Sequence, residues 1–480
     1  MATTNGNRKI LDLKRWEFCT PAPATTAAGA FISSSRHYRQ QQLYVTSATV
    51  HHLYSPLEDA WVQIPSGALA GTFAAGACGT ATAIGPSGTA TAGTTSTITT
   101  NLTLARDLRG YSIHITGGPN AGATLAISSN TIGTNSVITV PTQASAFTAS
   151  TTYRLITPRW YVLNAITAAG TTTANVFKFY DFATNAWSAA ETGATDGIAP
   201  AAVIGTDSKL IATPSWQGAD YRAFAPGTAT AGGASTLTNS AKTWTVNQWA
   251  NYQIRIVSGT GAGQIRTIAS NTATALTTSA AWTTNPDATS VYSIEGNDDF
   301  IYYIGSNAVT LYRYSISAGT WTTITPGVAR AAAPSTGMSG HWAWESTDSA
   351  WTNESAIISG RRIYSFRGGA SATLDYYDIA ANTWVNGVTY APAAETFTTG
   401  SKYVYLNDAI YVQKEATGRW LRLNLVTSEQ DGWTTMTYTQ GAALLGDTAF
   451  DVHYTDGATE IDYIYMVLNT STVMLRAMVF

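Results

Sequence analysis

The sequence is poor in charged residues and has no long apolar run. Asp, Glu, Lys and Arg make up 11% of its 480 residues, whereas a globular domain usually holds roughly 25%. The formal net charge is −3 and no basic run occurs, so sequence-independent binding to nucleic acid is not expected. No stretch approaches the roughly 18–20 apolar residues of a membrane-spanning helix, so we expect no membrane contact either.

Cysteine and recognisable catalytic motifs are equally scarce. Cys19 and Cys78 are too few for a disulfide framework, and neither lies in a metal-binding CxxC pair. Residues 1–15 lack the apolar segment of a secretory signal, which predicts synthesis in a cytosol. The adjacent His51 and His52 would point to opposite faces of a strand, and no HExxH, GxSxG or Walker motif occurs. We therefore predict no metal, no cofactor and no enzymatic activity.

The sequence does contain a phrase that occurs four times, most clearly as Phe179–Trp187. Each copy indicates a strand, a polar turn and a second strand, because Asp, Asn, Ser, Pro and Gly accept the backbone angles of a hairpin turn. The tyrosine always precedes the tryptophan by seven residues (61−54, 187−180, 321−314, 384−377). This constant phase predicts packing roles within repeated sheets. The residues so assigned, with two further tryptophans, are Tyr54, Trp61, Tyr180, Trp187, Tyr314, Trp321, Tyr377, Trp384, Trp16 and Trp433.

The repeated units resemble kelch repeats. The family's diglycine is present at Gly368-Gly369, and its Tyr-Asp-x-x-x-Asn-x-Trp phrase at 180–187 and 377–384. The tryptophan steps 61−16 = 45 and 433−384 = 49 fit a kelch unit of about 50 residues, although the other units lack the diglycine. The resemblance implies an all-β propeller, for which we count six four-stranded blades. The alternative is a seventh blade, built from residues 201–204, 210–213 and 221–224.

The last unit ends without a tryptophan strand. It runs through Ile461–Val467 and Val473–Phe480, and the N-terminal segment Arg15–Phe18 supplies the missing strand. We predict that this segment pairs with the C-terminal strands and closes the ring, because that pairing removes two exposed sheet edges.

Two gaps between tryptophans are too long for one unit, 187−61 = 126 and 321−187 = 134. Each gap holds one copy of a second repeat, whose equivalent residues are 139 to 141 positions apart. We predict two copies of a compact β-barrel or sandwich, module 1 (80–156) and module 2 (227–294), which leaves 1–79, 157–226 and 295–480 to the propeller. The matching segments are Gly88–Gly93 with Gly227–Gly232, Tyr111–Ile115 with Tyr252–Ile256, Gly118–Gly122 with Gly259–Gly263, Ile127–Asn130 with Ile268–Asn271, and Tyr153–Ile156 with Tyr292–Ile294.

The module phrase at 259–271, with the later Trp282, resembles segments of structural and tail proteins of tailed bacteriophages. The resemblance implies a virion structural protein on the tail, collar, fibre or capsid surface, whose partners are other virion proteins and copies of itself. Module 1 departs from the phrase at two positions. A duplicated module with different surfaces fits a scaffold whose copies contact different neighbours.

One stretch between Arg330 and Ile357 departs from its unit. It holds Trp342, Trp344 and Trp351, which predict a stacking surface for sugars or a protein contact; the alternative is that they cap one end of the propeller. A virion adhesin that binds a receptor or a host-surface glycan is accordingly the alternative function. A third interpretation is a kelch-type copper radical oxidase or a glycosidase, but no ligand set or convergent carboxylate pair can be placed for either.

Overall fold

The structure is a computed structural model that describes residues 16–25, 30–34, 41–45, 50–65, 77–166, 174–188, 208–212, 223–295, 299–305, 309–332, 340–342, 362–367, 371, 373–379, 381–388, 402–406, 409–414, 418–425, 429–435, 449–456, 459–468 and 471–479. Every regular element in these ranges is a β-strand, so the predicted all-β class is confirmed. Apolar and β-branched runs separated by Gly, Asn, Asp and Ser favour short strands over helices.

Five short strands occupy the N-terminal part: β1 (Glu17–Phe18), β2 (Phe31–Ser34), β3 (Gln42–Val45), β4 (His51–Ser55) and β5 (Ala60–Ile64). Strands β2 to β5 pair in chain order as an antiparallel sheet, sheet 1. The register of its last hairpin places Tyr54 opposite Trp61. These four strands correspond to the first unit of the sequence.

Sheet 2 and module 1 share two long strands. The strands of this region are β6 (Cys78–Thr89), β7 (Ala92–Gly93), β8 (Thr97–Thr99), β9 (Ser112–Gly117), β10 (Thr124–Ala126), β11 (Ser129–Asn130), β12 (Val137–Thr139), β13 (Thr152–Ile166), β14 (Ala174–Asp181) and β15 (Ala186–Trp187). Strands β6 and β13 pair from Cys78–Leu163 at one end to Thr89–Thr152 at the other. The first end forms sheet 2 with β14 and β15, and the second continues into module 1 beside β9, β10 and a sheet of order β11-β12-β8-β7. Module 1 is thus inserted between the first and second strands of sheet 2.

Sheet 3 carries module 2 at the equivalent position, between its first and second strands. The strands are β16 (Lys209–Ala212), β17 (Ala223–Thr228), β18 (Ala231–Gly233), β19 (Thr236–Thr238), β20 (Gln253–Ser258), β21 (Ile265–Asn271), β22 (Ala275–Thr278), β23 (Val291–Glu295), β24 (Phe300–Ile304), β25 (Leu311–Ser315) and β26 (Thr320–Ile324). Sheet 3 has the order β16-β24-β25-β26, and module 2 the order β17-β23-β20-β21-β22-β19-β18. Residues 210–212, considered above for a seventh blade, belong to sheet 3, while 201–204 and 221–222 lie outside the described residues.

The remaining strands form three further sheets. They are β27 (Gly340–Trp342), β28 (Arg362–Phe366), β29 (Leu374–Asp378), β30 (Thr383–Val388), β31 (Lys402–Leu406), β32 (Ala409–Gln413), β33 (Arg419–Asn424), β34 (Glu429–Thr435), β35 (Ala449–Asp456), β36 (Thr459–Val467) and β37 (Met474–Val479). Sheet 4 is β27 to β30, sheet 5 is β31 to β34, and sheet 6 has the order β1-β37-β36-β35. Glu17 pairs with Arg476 and Phe18 with Leu475, and an ion pair of 3.2 Å joins the first two side chains. The N-terminal segment therefore pairs with the C-terminal strands.

Neighbouring sheets contact one another through their first strands: β2 contacts β6, β6 contacts β16, β16 contacts β27, β27 contacts β31, β31 contacts β35, and β35 contacts β2. Apolar side chains fill each junction. Tyr44 and Tyr54 of sheet 1, for example, pack with Phe450 and Tyr465 of sheet 6. Equivalent clusters join the other neighbours. Burying one such side chain contributes roughly 1.5–3 kcal/mol, so these clusters hold the six sheets together.

Candidate functional site

The repeated phrase forms a hairpin in which the tyrosine and the tryptophan lie directly opposite each other. The seven-residue spacing produces this register in all four copies. The two rings of each pair are in contact, which adds about 0.5–1.5 kcal/mol beyond the burial of their area. The centroid distances are 4.7 Å for Tyr54–Trp61, 5.5 Å for Tyr180–Trp187, 5.2 Å for Tyr314–Trp321 and 5.6 Å for Tyr377–Trp384.

The fifth residue after each tyrosine adopts a left-handed backbone conformation. Asp, Asn and Gly tolerate that conformation better than other residues, and φ is 47° at Asp59, 52° at Asn185, 64° at Gly319 and 49° at Asn382. In three hairpins the side chain at this position also accepts a hydrogen bond from the tyrosine hydroxyl, at 2.6, 2.5 and 2.8 Å. Gly319 has no side chain to do so. The sequence indicates the turn, but not this second role of the Asn or Asp.

The same hairpins hold neighbouring sheets together. The indole Nε1 of Trp61 donates to the Thr20 carbonyl at 3.2 Å, and that of Trp187 donates to the Pro65 carbonyl at 2.9 Å. In sheet 4 the side-chain amide of Asn382 donates to the Thr325 carbonyl at 3.0 Å. Each accepting carbonyl lies just after the last strand of the preceding sheet. These repeated residues are therefore structural contacts between sheets.

The other tryptophans that the sequence singles out fall into two groups. Trp16 is buried and packs against Trp420 of sheet 5, with the ring centroids 5.4 Å apart. Trp433 lies in β34, where only the backbone is described. Trp342 lies in β27 and its backbone pairs with Ile363. Its side chain lies outside the described residues, as do Trp344 and Trp351 altogether, so the proposed stacking surface stays a prediction.

Three chemically active side chains lie at the starts of first strands, at Cys78 in β6, Lys209 in β16 and Lys402 in β31. Burial lowers the pKa of Lys209 to about 8. Burial, with the charge of Lys209, lowers the pKa of Lys402 to about 7. Burial raises the pKa of the Cys78 thiol to about 12, so this group is protonated at neutral pH and a weak nucleophile. No sequence motif indicates the two lysines, because a single Lys in an apolar strand fits none.

A buried ion cluster lies in sheet 4. Asp375 is fully buried and accepts hydrogen bonds from Arg330 Nε at 3.0 Å, Arg367 Nη2 at 2.9 Å and the Gly387 amide at 2.9 Å. Burial opposes ionisation of Asp375, but these donors outweigh it and lower its pKa. Arg330 also donates to the carbonyls of Ser365 and Phe366. The charges are thus engaged in joining strands, which is a structural role.

Polar contacts fix each module to a sheet. Arg106 of module 1 donates from Nη2 to the Tyr180 hydroxyl at 2.9 Å and to Asn185 Oδ1 at 2.8 Å. In module 2, Asn251 accepts a hydrogen bond from Arg313 of sheet 3 at 3.0 Å and donates to the Ile379 carbonyl beside sheet 4 at 3.2 Å. The modules therefore lie against the sheets rather than being connected to them only by the chain.

Inside the modules, repeated residues make repeated contacts. Tyr153 donates to Asn101 at 3.0 Å in module 1, and Asn239 donates to Tyr292 at 2.9 Å in module 2. A Cβ added to the preceding repeated glycine, Gly88 or Gly227, would meet the tyrosine oxygen at 2.8 or 2.9 Å. Each of the two tyrosines thus needs a glycine next to its hydroxyl, which explains why both modules have a glycine at this position.

A second pair of equivalent residues braces the module loops. The side chains of Asn130 and Asn271 each accept one backbone amide and donate to two carbonyls. These contacts satisfy backbone hydrogen-bonding groups of the adjacent loops.

Module 1 departs from the phrase at two positions. In module 2, the residues at these positions form hydrogen bonds that stabilise a loop. Gln264 accepts the Thr283 amide at 2.7 Å, and Arg266 donates to the Ala281 carbonyl at 2.9 Å. The Arg266 guanidinium also lies 5.6 Å from the centroid of Trp282. Module 1 has Ala123 and Leu125 at these positions, so the difference alters the loop rather than an exposed binding residue.

Within the residues that the structure describes, no group of three or more His, Cys, Asp and Glu side chains could hold a metal ion, and no helix is long and apolar enough to cross a membrane. No protein-family model matches the chain, and no curated protein matches it. In the described part of the chain, six sheets contact one another and the two modules lie against them.

Proposed function

We propose that the chain is a six-bladed, kelch-like β-propeller closed by its N-terminal strand, and that it is a non-enzymatic structural component of a tailed-bacteriophage virion. Two observations support the propeller. The first strands of the six sheets contact one another in a cyclic order, and β1 completes sheet 6 by pairing with β37. A ring of this kind protects the edges of all but the outer strands.

The observation that carries the scaffold function is the way the modules are fixed. Arg106 and Asn251 connect module 1 and module 2 to hairpins of the sheets. Two folded modules held at set positions suit a protein that presents defined surfaces to several neighbours. The resemblance of the module phrase to tail proteins supports the virion as the place, with other virion proteins and further copies of this chain as partners.

Two features of the described interior support a non-enzymatic role. Asp375 and its two arginines connect strands of sheet 4, and burial keeps the Cys78 thiol protonated. The alternative function, an adhesin that binds a receptor or a host-surface glycan, depends on Trp342, Trp344 and Trp351 and shares the same scaffold.

Immunogold electron microscopy of particles purified from the source of the protein tests the proposal. We expect gold at one fixed position on the virion, such as the tail, the collar or the capsid surface. Labelling confined to fibre tips would favour the adhesin. Unlabelled particles, with the protein free in solution, would overturn a structural role.

A further inference from the structure

The two modules contact each other through equivalent residues. His114 of module 1 meets Arg255 of module 2, and Gly122 meets Gly263. Both pairs are separated by the same offset, 255−114 = 141 and 263−122 = 141, which is also the offset of the repeat in this region. A contact between equivalent residues is what an approximate two-fold axis between two copies produces.

The glycine contact is reciprocal. A Cβ on Gly122 would lie 2.6 Å from the Cα of Gly263 and 3.5 Å from the carbonyl carbon of Ala262. A Cβ on Gly263 would lie 2.9 Å from the Cα of Gly122 and 2.9 Å from the carbonyl carbon of Ala121. Each turn thus contacts the same two residues of the other turn. This pattern, in which residue i meets j and j meets i, defines an isologous interface.

The side-chain contact on the same axis combines a cation with a neutral ring. Arg255 Nη1 lies 3.4 Å from both ring nitrogens of His114. Both side chains are buried. Burial, with the charges of Arg255 and Arg154, lowers the pKa of His114 to about 3, so the ring is neutral at physiological pH. Two arginines at these positions would instead bring like charges together in a buried interface.

We propose that the two modules form a linked homodimer, in which the partner of the module fold is a second copy of itself. The interface is the face formed by β9 and its following turn in module 1 and by β20 and its following turn in module 2. His114 is the residue that allows this two-fold interface to accept Arg255. The proposal is independent of the virion assignment, because it concerns only how the modules recognise each other.

A reciprocal exchange in the full-length chain tests the symmetry. His114→Arg alone places two guanidiniums in contact, so hydrogen exchange of segments 112–117 and 253–258 should become at least about tenfold faster, since like-charge contacts cost several kcal/mol. Arg255→His alone leaves two neutral rings and should change protection little. The double variant His114→Arg with Arg255→His exchanges equivalent positions, and a two-fold interface should restore most of the protection that His114→Arg loses. The remaining loss is the repulsion between the new arginine and Arg154, which pairs with position 114.

Arg109→His is the matched control, because it changes an exposed arginine of module 1 whose side chain is 67% accessible. It should leave protection of both segments unchanged. A double variant that exchanges as fast as His114→Arg, or faster, would overturn the proposal, because an asymmetric contact cannot tolerate the swap. If His114→Arg does not fold, a double variant that folds and protects both segments supports the two-fold interface, and a double variant that also fails to fold overturns it.

Discussion

The two modules share a strand order but differ in how they are built into the molecule. The apolar core of module 1 is continuous with sheets 1 and 2, since one cluster contains Ile98 and Ile138 of the module together with Phe31 and Trp160 of the sheets. The core of module 2 contains only residues between 229 and 294. The same duplicated fold is therefore an integral part of the structure in one place and a separate unit in the other.

One aromatic position accounts for much of this difference. In module 1, Tyr111 packs against Phe182 of the sheet 2 hairpin, with centroids 5.3 Å apart. In module 2 the equivalent Tyr252 packs against Trp249 of its own module at the same distance, 5.3 Å. Module 2 thus supplies from its own chain segment the aromatic ring that module 1 takes from a sheet. The apolar core of module 2 is therefore separate from the sheets, because the module covers that core with its own residues.

The largest predicted effect comes from removing each module in turn. Replacing 90–151 with a two-residue turn joins the paired ends of β6 and β13, and replacing 229–290 does the same for β17 and β23. The first deletion exposes Phe182 and its neighbours, so it should unfold sheets 1 and 2, while the second should leave a cooperatively folded remainder. Circular dichroism melts measure both. Equal melting temperatures for the two deletions would contradict the comparison.

Single aromatic truncations should separate the same two regions. Phe182→Ala should cost about 3–5 kcal/mol and reduce hydrogen-exchange protection in module 1 and sheet 2 together. Trp249→Ala should have a similar cost but reduce protection in module 2 alone. Loss of protection across both modules in Trp249→Ala would show that their cores are coupled.

The polar anchor of module 1 should contribute less. Arg106→Met removes two hydrogen bonds from a cation to the sheet 2 hairpin, and we expect a loss of about 1–3 kcal/mol in the free energy of unfolding. Urea denaturation measures it. The control is Arg109→Met, whose ion pair with Asp107 is exposed and should contribute little. An equal effect of both variants would argue against the anchor.

The sheets that carry the modules should also differ in their pH dependence. Burial lowers the pKa of Lys209 in sheet 3 from 10.5 to about 8. The unfolded chain then binds more protons between these values, so stability rises with pH across that window. Burial raises the pKa of Cys78 in sheet 2 from 9.0 to about 12, so its contribution falls as the pH rises through that range. Lys209→Met should reduce the rise in the urea midpoint, while Lys402, whose pKa is also lowered, maintains the remainder. An unchanged slope would refute this assignment.

The smallest predicted effect is a gain in stability. The sheet 2 hairpin has Asn185 bonded to Tyr180, whereas the sheet 3 hairpin has Gly319 at the same place, with φ of 64°. A Cβ there would lie 4.0 Å from the Tyr314 hydroxyl. Gly319→Asn should restore the missing hydrogen bond and stabilise the chain by about 0.5–1.5 kcal/mol. Gly319→Ala is the control, since it fills the position without an acceptor and strains the backbone. A melting temperature for Gly319→Asn no higher than that of Gly319→Ala would contradict the prediction.

The sequence predicts local pairing well and long-range contacts poorly. The seven-residue spacing predicts each tyrosine–tryptophan hairpin, because both partners lie on strands that a single turn connects. The offsets of 139 to 141 residues predict two copies of one module. Neither pattern indicates that Arg106 reaches Asn185 or that His114 meets Arg255, since such contacts depend on how separate sheets and modules are placed. The stacking surface of Trp342, Trp344 and Trp351 likewise rests on composition alone.

The place where the modules enter has a consequence for what the repeating unit of the chain is. Both enter between the first and second strands of their sheets, and the sheets are consecutive. The hairpins that follow the modules are separated by 321−187 = 134 residues and the modules themselves by 139 to 141. Sheet and module therefore recur together as one larger repeat. Because the two copies of this repeat are adjacent in the chain, each module has a neighbour of its own fold.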